Sequence, residues 1–349
     1  MAYISIPAED FVVSSEAVAS ATWTGGAPTL TQLYTSSIQE AGASGDYYLN
    51  VFQTASGVST AEVQFAVTYG NKYGYGSPYY NNAVSGSTPT KTTYGQYRTL
   101  INGDENTDFT FGATGTNNQY TSTEFWAINV DRNRYRESLL PGSWTLNLSG
   151  SNGIVSLTDD SLVTNTVTFK DAGRVYQIIS GSNGVRYTGS NAYGYVNGSG
   201  SYGWFLPDIG VLLLNPSAVS QSIGVASSQS VNSDGLNYQK IFEAIKSGNS
   251  AVPAFNSSYF SMNSQETISA DYIFIRARNA QFNYTENPSF TNASTGEVNY
   301  PIFINNPQTY ITTIGLYNDA GDLLAVAKMS RPLPKDFTKE ALIRVKLDF

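Results

Sequence analysis

Alternation constrains this chain more than any other feature. Ile343, Val345, Leu347 and Phe349 fall at every second position, with Arg344, Lys346 and Asp348 between them. A period of two marks a strand with one face toward a core and the other toward water. Val63, Phe65, Val67 and Tyr69 repeat the pattern, with Glu62, Gln64 and Thr68 on the opposite face. Trp144, Leu146 and Leu148 repeat it again. Segments 47–52, 123–130, 154–157, 163–169, 174–179 and 272–278 read as further strands. Runs 311–317 and 322–328 flank a Gly-bearing turn and read as a hairpin. The pentapeptide Ser-Gly-Ser-Asn-Gly occurs at 149–153 and again at 180–184. Its flanks do not match, so it reads as reused turn chemistry and not as a repeat.

The expected fold is therefore mainly β. An antiparallel β-sandwich-like C-terminal domain with a few short helices spans 136–349. A looser N-terminal part of strands, arms and loops spans 1–135. The boundary is placed where a strand gives way to the charged segment 131–140, a short helix or turn stopped by Pro141 and Gly142. One helix is clearly signalled. Tyr238, Ile241, Phe242 and Ile245 follow helical spacing, Ser233 and Asp234 offer caps, and Gly248 marks the exit.

Composition narrows the chemistry. The 349 residues include no His and no Cys. Ser–His and Cys–His nucleophilic pairs are thereby excluded, as are disulfides, and a zinc site would lack its usual ligands. No cofactor is expected. Charged residues make up 13%, about half of the roughly 25% usual in globular proteins. With 25 Tyr and 31 Gly, the surface expected is aromatic and weakly charged, which suits contact with other proteins. The net charge of −8 and the lack of a basic stripe argue against nucleic acid as a partner. No secretory leader pattern and no long apolar run appear, so a soluble chain without a membrane partner is expected. Basic residues are scarce before Arg98 and common after Lys328. Such a chain could dock head to tail on its neighbours, or simply carry two solvated surfaces.

Candidate interface residues follow from this surface. The Tyr-rich stretch 69–82 holds Tyr73, Tyr75, Tyr79 and Tyr80, and reads as a loop for a neighbouring subunit or one folded on its own sheet. Arg132, Arg134 and Arg136 could meet an acidic partner or form a solvated face. Tyr317 in the hairpin and Arg344 and Lys346 in the last strand complete the set. Asp104, Asn106 and Asp108 begin like a calcium loop, but the later positions fail and a turn is expected. Glu124, Asp159, Asp160 and Asp208 are the carboxylates to consider for a hydrolase of the two-carboxylate kind. Their spacing singles out no pair. The segments 69–82 and 187–204 also suit glycan binding without chemistry.

The hairpin 310–328 carries a resemblance. Gly315, Leu316 and Tyr317, the polar turn ending in Gly321, and then Leu324, Ala325, Val326 and Ala327 look like a hairpin found in tail-fibre and baseplate-region proteins of tailed bacteriophages. The stretch 271–349, with 276–284, 305–308 and 335–342, is similar to uncharacterised virion structural proteins of marine contractile-tailed phages. The similarity extends back through 127–132, 171–176 and 205–211. It implies a non-enzymatic structural component of a phage particle, in the tail or baseplate region, with neck and capsid positions open. Its partners would be copies of itself and other virion proteins, and its place the virion, after synthesis in the host cytoplasm. Alternatives are a tail protein that binds a host-surface glycan or receptor, and a carboxylate-based polysaccharide depolymerase. The resemblance carries no catalytic or binding residues.

Overall fold

The computed structural model describes residues 4–35, 47–55, 57–76, 88–113, 118–164, 167–187, 189, 192–228, 236–248 and 258–348. The protein is mainly β. Its strands in chain order begin with β1 (Phe11–Ala21), β2 (Thr29–Leu30), β3 (Tyr34–Thr35), β4 (Tyr48–Phe52) and β5 (Val63–Asn71). Helix α1 (Pro89–Asn102) precedes β6 (Phe109–Phe111), β7 (Tyr120–Ser122) and β8 (Glu124–Val130). Next come β9 (Ser138–Leu139), β10 (Thr145–Gly150), β11 (Gly153–Asp159), β12 (Thr168–Lys170), β13 (Gly173–Ser182) and β14 (Val185–Arg186). Strands β15 (Gly203–Leu206) and β16 (Val211–Leu214) lead into α2 (Pro216–Ile223) and α3 (Asn237–Gly248). The chain continues through β17 (Phe260–Ser261), β18 (Asn263–Ala277), the single-turn α4 (Ile302–Asn305), β19 (Gln308–Tyr317), β20 (Leu323–Asp336) and β21 (Ala341–Asp348).

The chain forms two units. Unit 1 joins Met1–Ala17 to Thr267–Phe349, and unit 2 is Val18–Glu266. This division replaces the expected boundary at 135/136, which falls inside unit 2. Segment 131–140 does not separate domains, because Leu139 bonds to Pro207 and Leu140 to Asn263 through their backbones. Its charged part is a single 3-10 turn at Arg132–Arg134, capped by the Asp131 carboxylate on the Asn133 N–H at 2.9 Å.

Unit 2 is built on a 13-stranded sheet, ordered β2-β17-β10-β11-β13-β15-β16-β8-β5-β4-β3, with β12 and β14 also pairing β13. Phe260 on β17 and Phe65 on β5 lie seven strands apart in that order. A flat sheet would separate them by about 33 Å. Their rings are 5.9 Å apart, so the sheet curls until its two ends meet across the core. Trp23 joins the contact at 5.1 Å from Phe260 and 6.3 Å from Phe65, and its indole N–H donates to the Phe260 carbonyl. Helix α3 seals this interior with Tyr238, Ile241, Phe242 and Ile245, the stripe expected from spacing. The cap candidates Ser233 and Asp234 lie outside the described residues. The outer side of the same sheet is covered in part by α1 and the β6–β7 hairpin. Tyr94, Ile101, Phe109 and Phe111 pack there on Phe125, Trp204 and Leu213. Phe125 lies so close over Gly70 that a Cβ at that position would meet its ring at 2.6 Å.

Several local expectations change. Gln64, on the side expected to face water, is 1% exposed and donates its amide N–H to the Thr24 hydroxyl at 2.6 Å. The strand expected at 163–169 is present only as β12. Val163 and Thr164 instead bond back to the Asp160 carbonyl, closing a turn. The two identical pentapeptides turn in different registers. Gly150 pairs with Gly153 around Ser151 and Asn152, whereas Ser182 pairs with Val185 around Asn183 and Gly184. The second is a two-residue turn with both central residues at positive φ, 48° and 73°, which Asn-Gly favours.

Unit 1 is thinner. Its sheet has the order β1-β18-β21, and the β19–β20 ribbon forms a separate two-stranded sheet. The C-terminal strand is tied to its own chain, with Ile273 opposite Val345 and Ile275 opposite Ile343. Phe349 lies outside the described residues. Ile314, Leu316, Ala325 and Ala327 of the ribbon face Ile273, Val345 and Leu347 in a small sandwich-like core. Asp10, nearly buried, takes a bidentate grip from Arg276 at 2.8 and 3.1 Å. Lys335 is fully buried, and its ammonium donates to the Asn279 carbonyl, the Asn283 side chain and the Asp336 carbonyl at 2.8–2.9 Å. Three neutral acceptors satisfy its three protons.

Candidate functional site

The β19–β20 ribbon has two faces because its side chains alternate. The face opposite the small core carries Tyr317, Leu323, Leu324 and Val326. Gly315 sits beneath them with no side chain, and a Cβ there would strike the Tyr317 ring at 2.8 Å. Leu323, Leu324 and Val326 are 53%, 68% and 57% exposed. Exposed apolar side chains are not confined to the ribbon. Tyr284, Tyr300, Ile302, Ile304, Phe337 and Leu342 are also open. Among the described residues, unit 1 buries six hydrophobic side chains and exposes sixteen large ones, whereas unit 2 buries 46 and exposes fourteen. Single exposed apolar residues are ordinary, and unit 1 differs from unit 2 in how many it carries relative to its core.

Charge is graded along the ribbon. Asp319 and Asp322 sit at the turn, where the Asp322 N–H donates to Asn318 at 2.7 Å. Lys328 and Arg331 lie at the other end of the apolar stripe. Among the described residues, each ribbon strand also has one edge without a neighbouring strand.

The other candidate interface residues are distributed and partly engaged. Tyr73 is exposed and packs on Tyr75 at 5.9 Å, while the Asn71 side-chain oxygen accepts both of their backbone N–H groups. Tyr79 and Tyr80 lie outside the described residues. Arg132 stacks over the Tyr135 ring at 4.7 Å and donates to its carbonyl at 2.7 Å. Arg134 pairs with Glu62 at 2.7 Å and also reaches Thr24. Arg136 is open and reaches Glu266 at 3.6 Å. Arg344 and Lys346 flank the Tyr272 ring at 5.6 and 5.9 Å, and Lys346 also meets Asp348 and Glu16. The arginines of 132–136 thus serve their own chain first.

The carboxylates resolve into separate places. Glu124 is nearly buried and accepts from Tyr69 and Ser227, with Asn71 donating to the tyrosine oxygen. Burial, followed by the neighbouring Glu124 charge, drives the Tyr69 hydroxyl well above its ordinary value. Asp159 and Asp160 organise a turn. Asp159 accepts from the Gly142 and Ser161 N–H groups, and Asp160 from Gln177. Burial raises both carboxyls, Asp160 to about 6. Asp104 closes its own turn on Thr107, and Asp108 pairs with Lys72 at 2.7 Å, as a turn and not an ion loop would require.

Asp208 lines an open groove beside a second carboxylate, Asp131. The groove has a volume of about 560 Å³ and is also lined by Asn50, Ala66, Asn129 and Arg132. Comparison with known proteins finds no matching family model, curated protein or solved structure. The chemistry must therefore be read from the groove itself. Both oxygens of Asp208 are engaged by Arg174, which gives 2.6 and 3.0 Å contacts from its guanidinium and one of 2.7 Å from its backbone N–H. Asp131 and Asp208 thus line one groove, with Asp208 held by Arg174. Asn50 and Asn129 went unnoticed in the sequence, because only the pairing of β4, β5 and β8 brings them into one row.

Proposed function

We propose that this chain is a structural protein of a phage particle, in the tail or baseplate region, and that it works by assembly contacts without catalysing a reaction. The observation that carries this reading is the apolar surplus of unit 1, of which Tyr317, Leu323, Leu324 and Val326 form a stripe on the outer ribbon face. One face of the ribbon already packs on the small core, which leaves the outer stripe as the face open to a partner. The occupant we assign is a second copy of the same chain. Turning one ribbon by a two-fold rotation onto another lays stripe against stripe and sets the Asp319–Asp322 turn opposite Lys328 and Arg331, so that the contact is self-complementary in shape and charge. The phage assignment is supported by the hairpin and C-terminal residues that resemble virion proteins, and by a surface poor in charge and rich in tyrosine.

Particles purified from the source of this chain test the assignment. After washing at high salt, mass spectrometry is expected to find the chain in multiple copies per particle. Its loss in the wash, or its presence only in the unassembled fraction, would overturn the virion reading.

A further inference from the structure

Asparagine is depleted from strand interiors. In unit 2 it occupies two positions of one cross-strand row: Asn50 pairs with Ala66, and Ala66 with Asn129. Asn129 is exposed in a strand whose other six residues are all buried. Neither side-chain amide has a hydrogen-bond partner within the described chain. The cover supplied by α1 and β6–β7 reaches Ala127 on this face, and the groove opens at the next outward position, Asn129. A polar row that breaks the strand rule in an otherwise consistent sheet is where a functional demand is expected.

We propose that this groove binds a neutral sugar, with Asn50, Asn129 and Asp131 hydrogen-bonding its hydroxyls above the small apolar floor at Ala66. The volume lies within the range of about 300–1,000 Å³ usual for small-ligand sites and admits one or two sugar rings. Each amide offers both a donor and an acceptor, which matches hydroxyls that are themselves both. One Asp131 oxygen holds the Asn133 N–H, and the second is available as an acceptor. An anionic ligand fits poorly. Two carboxylates line the groove, and the guanidinium that lines it, Arg132, is committed to Tyr135. An extended peptide docks on a sheet edge through its backbone, and this groove lies on a sheet face. The site belongs to unit 2 and stands whether or not unit 1 mediates assembly.

Saturation-transfer NMR on the full chain tests the proposal, with maltotriose, mannobiose, lactose and chitobiose as neutral probes. A sulfated disaccharide and a hexaglutamate peptide are the charged controls. At least one neutral sugar is expected to bind. Asn129→Ala and Asn50→Ala are each expected to weaken it roughly five- to tenfold, the loss of one or two ligand hydrogen bonds. Both positions are solvent-accessible, so thermal stability should hold in at least one of the two variants. The proposal is overturned if no neutral probe binds, if binding survives both substitutions, or if only the charged controls bind.

Discussion

Unit 2 and unit 1 are both β structures, yet they handle apolar surface in opposite ways. Unit 2 curls a long sheet until Phe65, Phe260 and Trp23 touch, and seals the interior with α3. Its stability comes from dry packing within one chain. Unit 1 places three buried side chains, Ile273, Leu316 and Val345, at the centre of its sandwich and leaves Leu323, Leu324 and Val326 in the open. It replaces part of a core with fixed polar anchors such as Asp10–Arg276 and Lys335. What separates the two units is whether the sheet is wide enough to curl.

The largest effect that would sharpen this contrast lies in unit 2. Phe260→Ala removes a ring shared by Trp23, Phe65 and Trp144. It should cost about 3–5 kcal/mol, the usual range for a fully buried aromatic, read by chemical denaturation. A cost under about 1 kcal/mol would mean that the curled interior is not the main source of stability. In unit 1 the corresponding weak point is polar. Lys335→Met keeps the stem but strands three acceptors, at about 2–3 kcal/mol. Limited proteolysis should then cut within 279–307 sooner than in the parent. Unchanged digestion would show that the lysine does not anchor that segment.

A smaller effect concerns pH. Burial raises the Asp160 carboxyl to about 6, whereas an unfolded aspartate titrates near ~4. The folded state thus holds this proton more tightly. The group adds stability as pH falls from about 6 to about 4, and opposes folding above 6. Asp160→Asn keeps an oxygen for the Gln177 N–H and removes the charge. It should stabilise the protein at pH 7.5 by about 1–2 kcal/mol and have little effect at pH 4. Equal effects at both values would contradict the burial argument.

Much of the architecture was readable from alternation. The hairpin at β19–β20, the final strand and the α3 stripe all lie where spacing placed them. Other elements were obscured for physical reasons. Helix α1 buries Thr90, Thr93, Tyr94 and Ile101, so its apolar stripe is written partly in threonine. Its clearer signals were Pro89 at the first turn and Gly103, left-handed at φ 69°, at the exit. The division into units was invisible, because β1 and β18 each run across it and sequence order does not show which strands share a sheet. Among the candidate residues, Tyr317 lies on the outer ribbon face as its place in the hairpin suggests. The arginines of 132–136 gave no sign that Glu62, Tyr135 and Glu266 would meet them, since those contacts depend on tertiary packing.

The smallest expected change in folding stability accompanies the most direct test. Leu324→Asp with Val326→Asp alters only exposed side chains, and should move monomer stability by no more than about 0.5 kcal/mol per site. Sedimentation equilibrium of the full chain at micromolar concentration measures what those side chains do. The account predicts a mass that is a multiple of 37.7 kDa for the parent, falling to 37.7 kDa for the double variant. A parent that sediments as a 37.7 kDa monomer at every concentration, or a variant that assembles as the parent does, would contradict it.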